Sequence, residues 1–220
     1  MRIAIVHATM NSYKPLIDGL TKCLSKDDVV LHFINEYLID RATAAGKVDA
    51  KALQVFTQLM LSAVEAEPDI IVVGCSMYFP YLPLIESFVT VPIMPIDEPM
   101  LELAIEKGKK IGLVVTTAPT IAGTEKRLKR IAEKSGKTVE ILGEAASQAF
   151  ALLTAGDVEG HNADVLQAGE KLVKQGCDIL LLCQISMACA AADVQRLGVP
   201  VLNSVDTGVQ RILQIKAGKA

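Results

Sequence analysis

Five cysteines, three histidines and a set of short hydroxyl and amide side chains carry the reactive chemistry of this 220-residue chain. Cys75 stands in Gly74-Cys75-Ser76-Met77, directly after the apolar run Ile70-Ile71-Val72-Val73. A thiol at a strand end with a helix starting after it feels the amides of that helix, which favour thiolate and hence a nucleophile or base. The same position also suits an inert core thiol, because free cysteine is among the most buried residue types. His7 closes the first apolar run and either reaches a cleft or sits in the core. His161, in His161-Asn162-Ala163-Asp164, reads as a loop or cap residue, and His32 as part of a strand over Val30–Ile34.

Short polar side chains gather at two other places. His7-Ala8-Thr9-Met10-Asn11-Ser12 and Thr116-Thr117-Ala118-Pro119-Thr120 each follow an apolar run. Thr9, Asn11, Ser12, Thr116, Thr117 and Thr120 are therefore candidate donors to a carboxylate, alongside backbone N–H groups. Plain helix capping explains the same residue types. A further strand end carries Cys183-Gln184-Ile185-Ser186-Met187. Tyr78, Phe79 and Tyr81, close behind Cys75, either wall a pocket for an apolar group or pack the core.

The elements that must position these residues are short apolar runs alternating with longer amphipathic ones, the pattern of strand-helix units around a parallel sheet. The runs repeat. Ile3-Ala4-Ile5-Val6-His7-Ala8-Thr9 matches Ile111-Gly112-Leu113-Val114-Val115-Thr116-Thr117 at an offset of 108 residues. Asp69-Ile70-Ile71-Val72-Val73-Gly74-Cys75 matches Asp178-Ile179-Leu180-Leu181-Leu182-Cys183-Gln184 at 109, and Val91-Pro92-Ile93-Met94 matches Val199-Pro200-Val201-Leu202 at 108. Three matches in the same order imply internal duplication. The expected fold is α/β, two pseudo-symmetric doubly wound lobes with parallel sheets, residues 1–98 and 99–205. A helix over residues 206–220 is expected to pack back on the first lobe. In such sheets ligands bind beyond the carboxyl ends of the strands, which is where the candidate residues fall.

Composition narrows the function. The formal charge is −3 and the basic residues are scattered, so nucleic-acid binding is not expected. No apolar run reaches the length of a membrane span, and the N-terminal residues lack the pattern of a signal peptide. An odd number of cysteines without a C-x-x-C pair fits free thiols in a reducing cytoplasm. No G-x-G-x-x-G or Walker motif supports nucleotide binding. The Asp27-Asp28, Lys109-Lys110 and Lys126-Arg127 pairs read as solvated faces.

The order of these motifs, strand-Cys75-Ser76, strand-Thr116-Thr117-x-Pro119-Thr120 and strand-x-x-x-Ser186-Met187, resembles the aspartate/glutamate/hydantoin racemase superfamily over nearly the full length. The resemblance implies a small-molecule site between the lobes, where one cysteine from each lobe faces the substrate's α-carbon. One thiolate removes the proton and the opposite thiol returns one to the far face. Ser76, Met77, Ile185 and Ser186 would line the substrate beside the donors named above. That scheme requires no pyridoxal phosphate and no metal. It further implies a small carboxylate or amino-acid-like substrate and a homo-oligomer, with no membrane or nucleic-acid partner.

The chain departs from the scheme at one place. Gln184 occupies the repeat position of Cys75, where the family's second cysteine is expected, and an amide is no acid or base near neutral pH. Cys183, one residue earlier on the strand, is expected to point to the opposite face, and Cys189 falls on the following helix. One-thiol chemistries therefore stand beside racemisation: protonation after decarboxylation as in arylmalonate decarboxylases, tautomerisation, or attack on an unsaturated acid as in maleate isomerases. A carboxylate-binding protein without catalysis is the alternative of another class.

Overall fold

Ile3, Ala4, Ile5 and Val6 are apolar at successive positions because the strand they form is buried on both faces. The computed structural model describes residues 1–218, so Lys219 and Ala220 of the expected C-terminal helix lie outside the described residues. The chain divides into two units, Met1–Ile96 with the chain from Leu213 onward, and Asp97–Ile212.

The first unit runs β1 (Arg2–His7), α1 (Tyr13–Thr21), β2 (Val29–Ile34), α2 (Tyr37–Ala45), α3 (Ala50–Glu65), β3 (Ile70–Val73), α4 (Leu82–Glu86) and β4 (Ile93–Pro95). The second runs α5 (Glu98–Lys107), β5 (Lys110–Val115), α6 (Pro119–Lys134), β6 (Glu140–Ala145), α7 (Ala149–Thr154), α8 (Val158–Lys174), β7 (Ile179–Leu182), α9 (Ala191–Val194) and β8 (Val201–Asn203), and the last helix, α10 (Ser204–Lys216), belongs to the second unit through Ile212 and to the first from Leu213. All sheet pairs are parallel, in the orders β2-β1-β3-β4 and β6-β5-β7-β8. Ile3 pairs with Ile70 and Ile111 with Ile179, so the two sheets share one order and one register, as the sequence repeat implies.

Alternation along the strands sorts the core of the second unit into two layers. Ile111, Leu113, Val115, Ile179, Leu181 and Cys183 pack with Met100, Leu101, Leu128 and Ala132 of α5 and α6. Val114, Leu180 and Leu182 face the other way, onto Val165, Ala168 and Leu172 of α8. A carboxylate ties the strand starts in each unit. Asp69 Oδ2 accepts from the Arg2 amide at 2.6 Å, and Asp178 accepts from the Lys109 and Lys110 amides at 3.0 and 3.1 Å.

Four expectations change. Asp97 and Glu98 fall with the second unit, because buried Asp97 accepts from Arg127 Nη1 on α6 at 2.6 and 2.7 Å. Arg127 is thus engaged and not part of a solvated face. The last helix starts at Ser204 and ends at Lys216; Asn203 starts it by accepting from the Asp206 amide at 2.9 Å, and its residues through Ile212 belong with the second unit. Asp28, read as solvated, has a carboxylate only 1% exposed, which binds the Met1 ammonium group, the Ser25 amide and hydroxyl, and Lys216. Among the described residues no helix is long and apolar enough to cross a membrane.

Candidate active site

In each sheet the chain goes from the inner strand β1 or β5 to one neighbour and later returns to the other side, which leaves a crevice at the carboxyl ends of the two inner strands. Every candidate residue lies at one of these ends. In the first unit Val6 pairs with Val73 and the Gly74 amide bonds the Val6 carbonyl at 2.9 Å, so the Thr9–Ser12 turn and Cys75-Ser76-Met77 leave adjacent strands. In the second, Val114 pairs with Leu182 and the Cys183 amide bonds the Val114 carbonyl at 3.0 Å, so Thr116-Thr117, with Thr120 on the first turn of α6, and Gln184-Ile185-Ser186 leave adjacent strands.

Cys75 and Gln184 hold matching places. Each precedes a 3-10 segment, Ser76–Tyr81 and Ile185–Ala190, with φ/ψ of −115°/107° and −113°/143°. Their carbonyls accept from Tyr78 and Met187 amides at 3.1 and 3.0 Å. The Cys75 residue is partly exposed, yet its thiol is crowded by protein. That desolvation pushes its pKa up to about 11, against the Met77 and Tyr78 amides, which pull it down. Desolvation therefore outweighs the helix-start effect expected from the sequence, and the resting thiol is neutral.

Gln184 Oε1 accepts from the Thr116 amide at 3.0 Å. With its oxygen so placed, the side chain offers Nε2–H as a fixed donor. Thr116 is buried, and Thr117 and Thr120 share a hydrogen bond between their hydroxyls at 2.8 Å at the start of α6. Ile185 and Ser186 are buried, and Ser186 gives its carbonyl to the Cys189 thiol at 3.3 Å. Thr9 Oγ1 accepts from the Asn11 amide at 3.3 Å, while Ser12 is buried and donates to the Thr9 carbonyl at 2.8 Å. Ser76 and Met77 are half-buried.

The other reactive side chains are placed elsewhere. Cys183 is buried in the layer against α5 and α6, away from the Gln184 side, as alternation requires; burial raises its thiol pKa. Cys189 is exposed on the 3-10 segment, not on a longer helix, with Sγ 3.4 Å from Asn162 Oδ1 and 3.6 Å from His161 Nδ1. His161 is neither loop nor cap; Asp157 caps α8, and His161 is fully buried on its first turns. Tyr78 is core as well, stacked on Phe56 with ring centroids 4.4 Å apart and its hydroxyl on the Leu38 carbonyl at 2.9 Å; Phe79 is buried beside it, and Tyr81 reaches the Val48 carbonyl at 3.3 Å. No group of three or more His, Cys, Asp or Glu side chains among the described residues is arranged to hold a metal ion.

His32 is a participant the sequence did not announce. Its Nδ1 lies 3.0 Å from Nε2 of His7, which is itself fully buried and 2.7 Å from Ser12 Oγ. The available signal was register: Ile5 pairs with His32, which puts residue 7 and residue 32 on one face of neighbouring strands.

Comparison with known proteins agrees with the geometry. The sequence model of the Asp/Glu/hydantoin racemase family matches residues 5–212. Allantoin racemase from Klebsiella pneumoniae is similar in fold at 16% identity, covering 100% of this chain and 89% of its own, with a TM-score of 0.74. Glutamate racemase isoform RacE1 from Bacillus anthracis gives 16%, 99%, 82% and 0.77, and the aspartate racemase of Picrophilus torridus gives 14%, 100%, 95% and 0.77. No curated protein matches the chain by sequence. With the family model spanning nearly the whole length and both sheets arranged as described, the chain belongs to the Asp/Glu/hydantoin racemase family.

Proposed function

We propose that the chain is a cytoplasmic, cofactor-independent racemase or isomerase acting at the α-carbon of a small amino acid or related carboxylate, with Cys75 as its reactive thiol. The observation that carries this reading is Cys75 itself, at the end of β3 beside the polar turn that follows β1, in a chain of this family. The Cys75 thiolate takes the α-proton, the electron pair passes into the adjoining carbonyl, and nearby donors stabilise the enolate-like charge. A thiol with a pKa pushed up to about 11 supplies little thiolate near neutral pH, but that thiolate is a correspondingly strong base toward a weakly acidic C–H. Names of the similar structures, allantoin, glutamate and aspartate racemases, set the first substrates to try.

Gln184 favours a second reading. Its amide is pinned by Thr116 and cannot exchange a proton, so it serves as a donor to substrate oxygen and Cys75 acts alone. A single thiol protonates one face, which fits a decarboxylase or a maleate-type cis-trans isomerase.

The test is incubation in deuterium oxide with aspartate, glutamate, allantoin, hydantoins, phenylmalonate and maleate, followed by NMR. Exchange at the α-carbon that disappears in Cys75→Ala supports the racemase reading. Carbon dioxide release or a change of double-bond geometry moves the assignment to the second. Exchange that survives Cys75→Ala refutes both, and silence across the panel favours a carboxylate-binding protein.

A further inference from the structure

The histidine pair at the end of β1 has a determinate proton arrangement. Ser12 has one hydroxyl hydrogen, and it goes to the Thr9 carbonyl, which only accepts. The 2.7 Å contact between His7 Nδ1 and Ser12 Oγ is therefore donated by His7, so neutral His7 carries its proton on Nδ1. Its bare Nε2 accepts at 3.0 Å from His32 Nδ1–H. His32 Nε2 is left bare and buried, with no partner among the described residues. Burial, then the charge of His32, lowers the His7 pKa to about 4, and burial lowers His32 as well. All the hydrogen bonds run one way, from His32 through His7 and Ser12 to Thr9.

That direction decides what the turn offers a ligand. The Thr9 carbonyl accepts from both the Ser12 hydroxyl at 2.8 Å and the Ser12 amide at 3.3 Å, which uses both of its lone pairs. Thr9 Oγ1 accepts from the Asn11 amide, which leaves its own O–H to donate. The Met10 amide holds one carboxylate already, that of Glu36, at 3.1 Å. A turn with its carbonyl consumed and its hydroxyl donating suits an acceptor oxygen over an N–H, and a ligand carboxylate would take the Thr9 hydroxyl and compete with Glu36 for the Met10 amide.

We propose that His7, backed by His32, is a positioning residue that makes the Thr9–Ser12 turn selective for a carboxylate. The inference rests on the reading that this turn holds the carboxylate of the substrate. His7 acts through Ser12 and touches no ligand.

The experiment uses succinate and its neutral isostere succinamide as probes, titrated into the full-length protein near neutral pH with the Thr9–Ser12 amides observed by NMR. His7→Asn keeps an N–H where Nδ1 stands, whereas His7→Leu removes it. Succinate is expected to bind the wild type and His7→Asn with affinities within about threefold, and His7→Leu about tenfold more weakly, because Ser12 Oγ then loses the donor that commits its own hydroxyl to the Thr9 carbonyl. Equal binding of succinamide and succinate, equal effects of the two substitutions, or no binding at these amides overturns the proposal. Histidine 15N spectra supply a readout a merely structural role would not move: both rings are expected neutral with the proton on Nδ1, and a cationic or Nε2-protonated His7 refutes the chain. Neither readout needs turnover, so a failed racemase assay with intact succinate selectivity would count against the catalytic reading alone.

Discussion

The side-chain oxygen of Gln184 accepts from the backbone amide of Thr116 at 3.0 Å, joining the ends of β7 and β5. Thr116 is buried, so its N–H has no ready replacement partner in water. Gln184→Leu is expected to destabilise the fold by about 1–3 kcal/mol in urea denaturation, the range for a buried donor left unpaired. Gln184→Glu keeps an acceptor there and is expected to cost less; equal losses would show that the bond contributes nothing.

The raised pKa of Cys75 fixes the sign of its pH dependence. A shift from 9.0 to about 11 leaves about a hundredfold less thiolate near neutral pH than an unperturbed thiol has. In the ligand-free protein Cys75 is expected to react with iodoacetamide more slowly than exposed Cys23, and its own rate should still be rising above pH 9. Mass spectrometry of the alkylated peptides resolves the two sites, and a Cys75 rate that levels below pH 9 would contradict the assignment.

The two halves differ at one core position in a way that packing explains. Ala4 on β1 is fully buried, while its repeat partner on β5 is Gly112. A methyl group at Gly112 would stand 2.6 Å from Leu180 Cδ2 and 3.2 Å from both Cys177 Sγ and Leu172 Cβ. Gly112→Ala is accordingly expected to cost about 1–3 kcal/mol through overpacking. Trimming the crowding atom in the double variant with Leu180→Val should return part of that loss, and additive losses would argue against the clash.

Asp28 gives an acid-dependent contribution to stability. The Lys216 ammonium group first, then the Met1 ammonium group and Ser25, hold its carboxyl well below the ordinary carboxylate range. The folded state thus favours the ionised form, and the stabilisation is present above the unfolded pKa and lost as pH falls through about 4 and below. Asp28→Asn is expected to lower the melting temperature near neutral pH, with the gap from wild type closing on acidification. A gap that stays constant down to pH 3 would refute the linkage.

The duplicated sheets were legible because buried parallel strands announce themselves as unbroken apolar runs, and three of them recurred in order. Cys183 facing away from Gln184 followed from alternation alone. Asp28 was not legible, because its partners Met1 and Lys216 are far along the chain and a surface acidic pair looks the same whether or not distant cations meet it. The raised pKa of Cys75 was hidden for a related reason: a helix start is local and visible, whereas desolvation comes from packing around it. Tyr78 looked equally suited to a pocket wall until its hydroxyl met the Leu38 carbonyl, 40 residues away in sequence.

Asp28 has one more consequence, in the order of events during synthesis. The second unit is one continuous stretch, Asp97–Ile212, but the first is assembled from both ends of the chain. Asp28 leaves the ribosome early and waits 188 residues for Lys216. At about 5–20 residues per second that interval lasts on the order of ten seconds or more. The half that begins first is thus the half that finishes last, and the sheet bearing Cys75 spends its early lifetime without its final clasp.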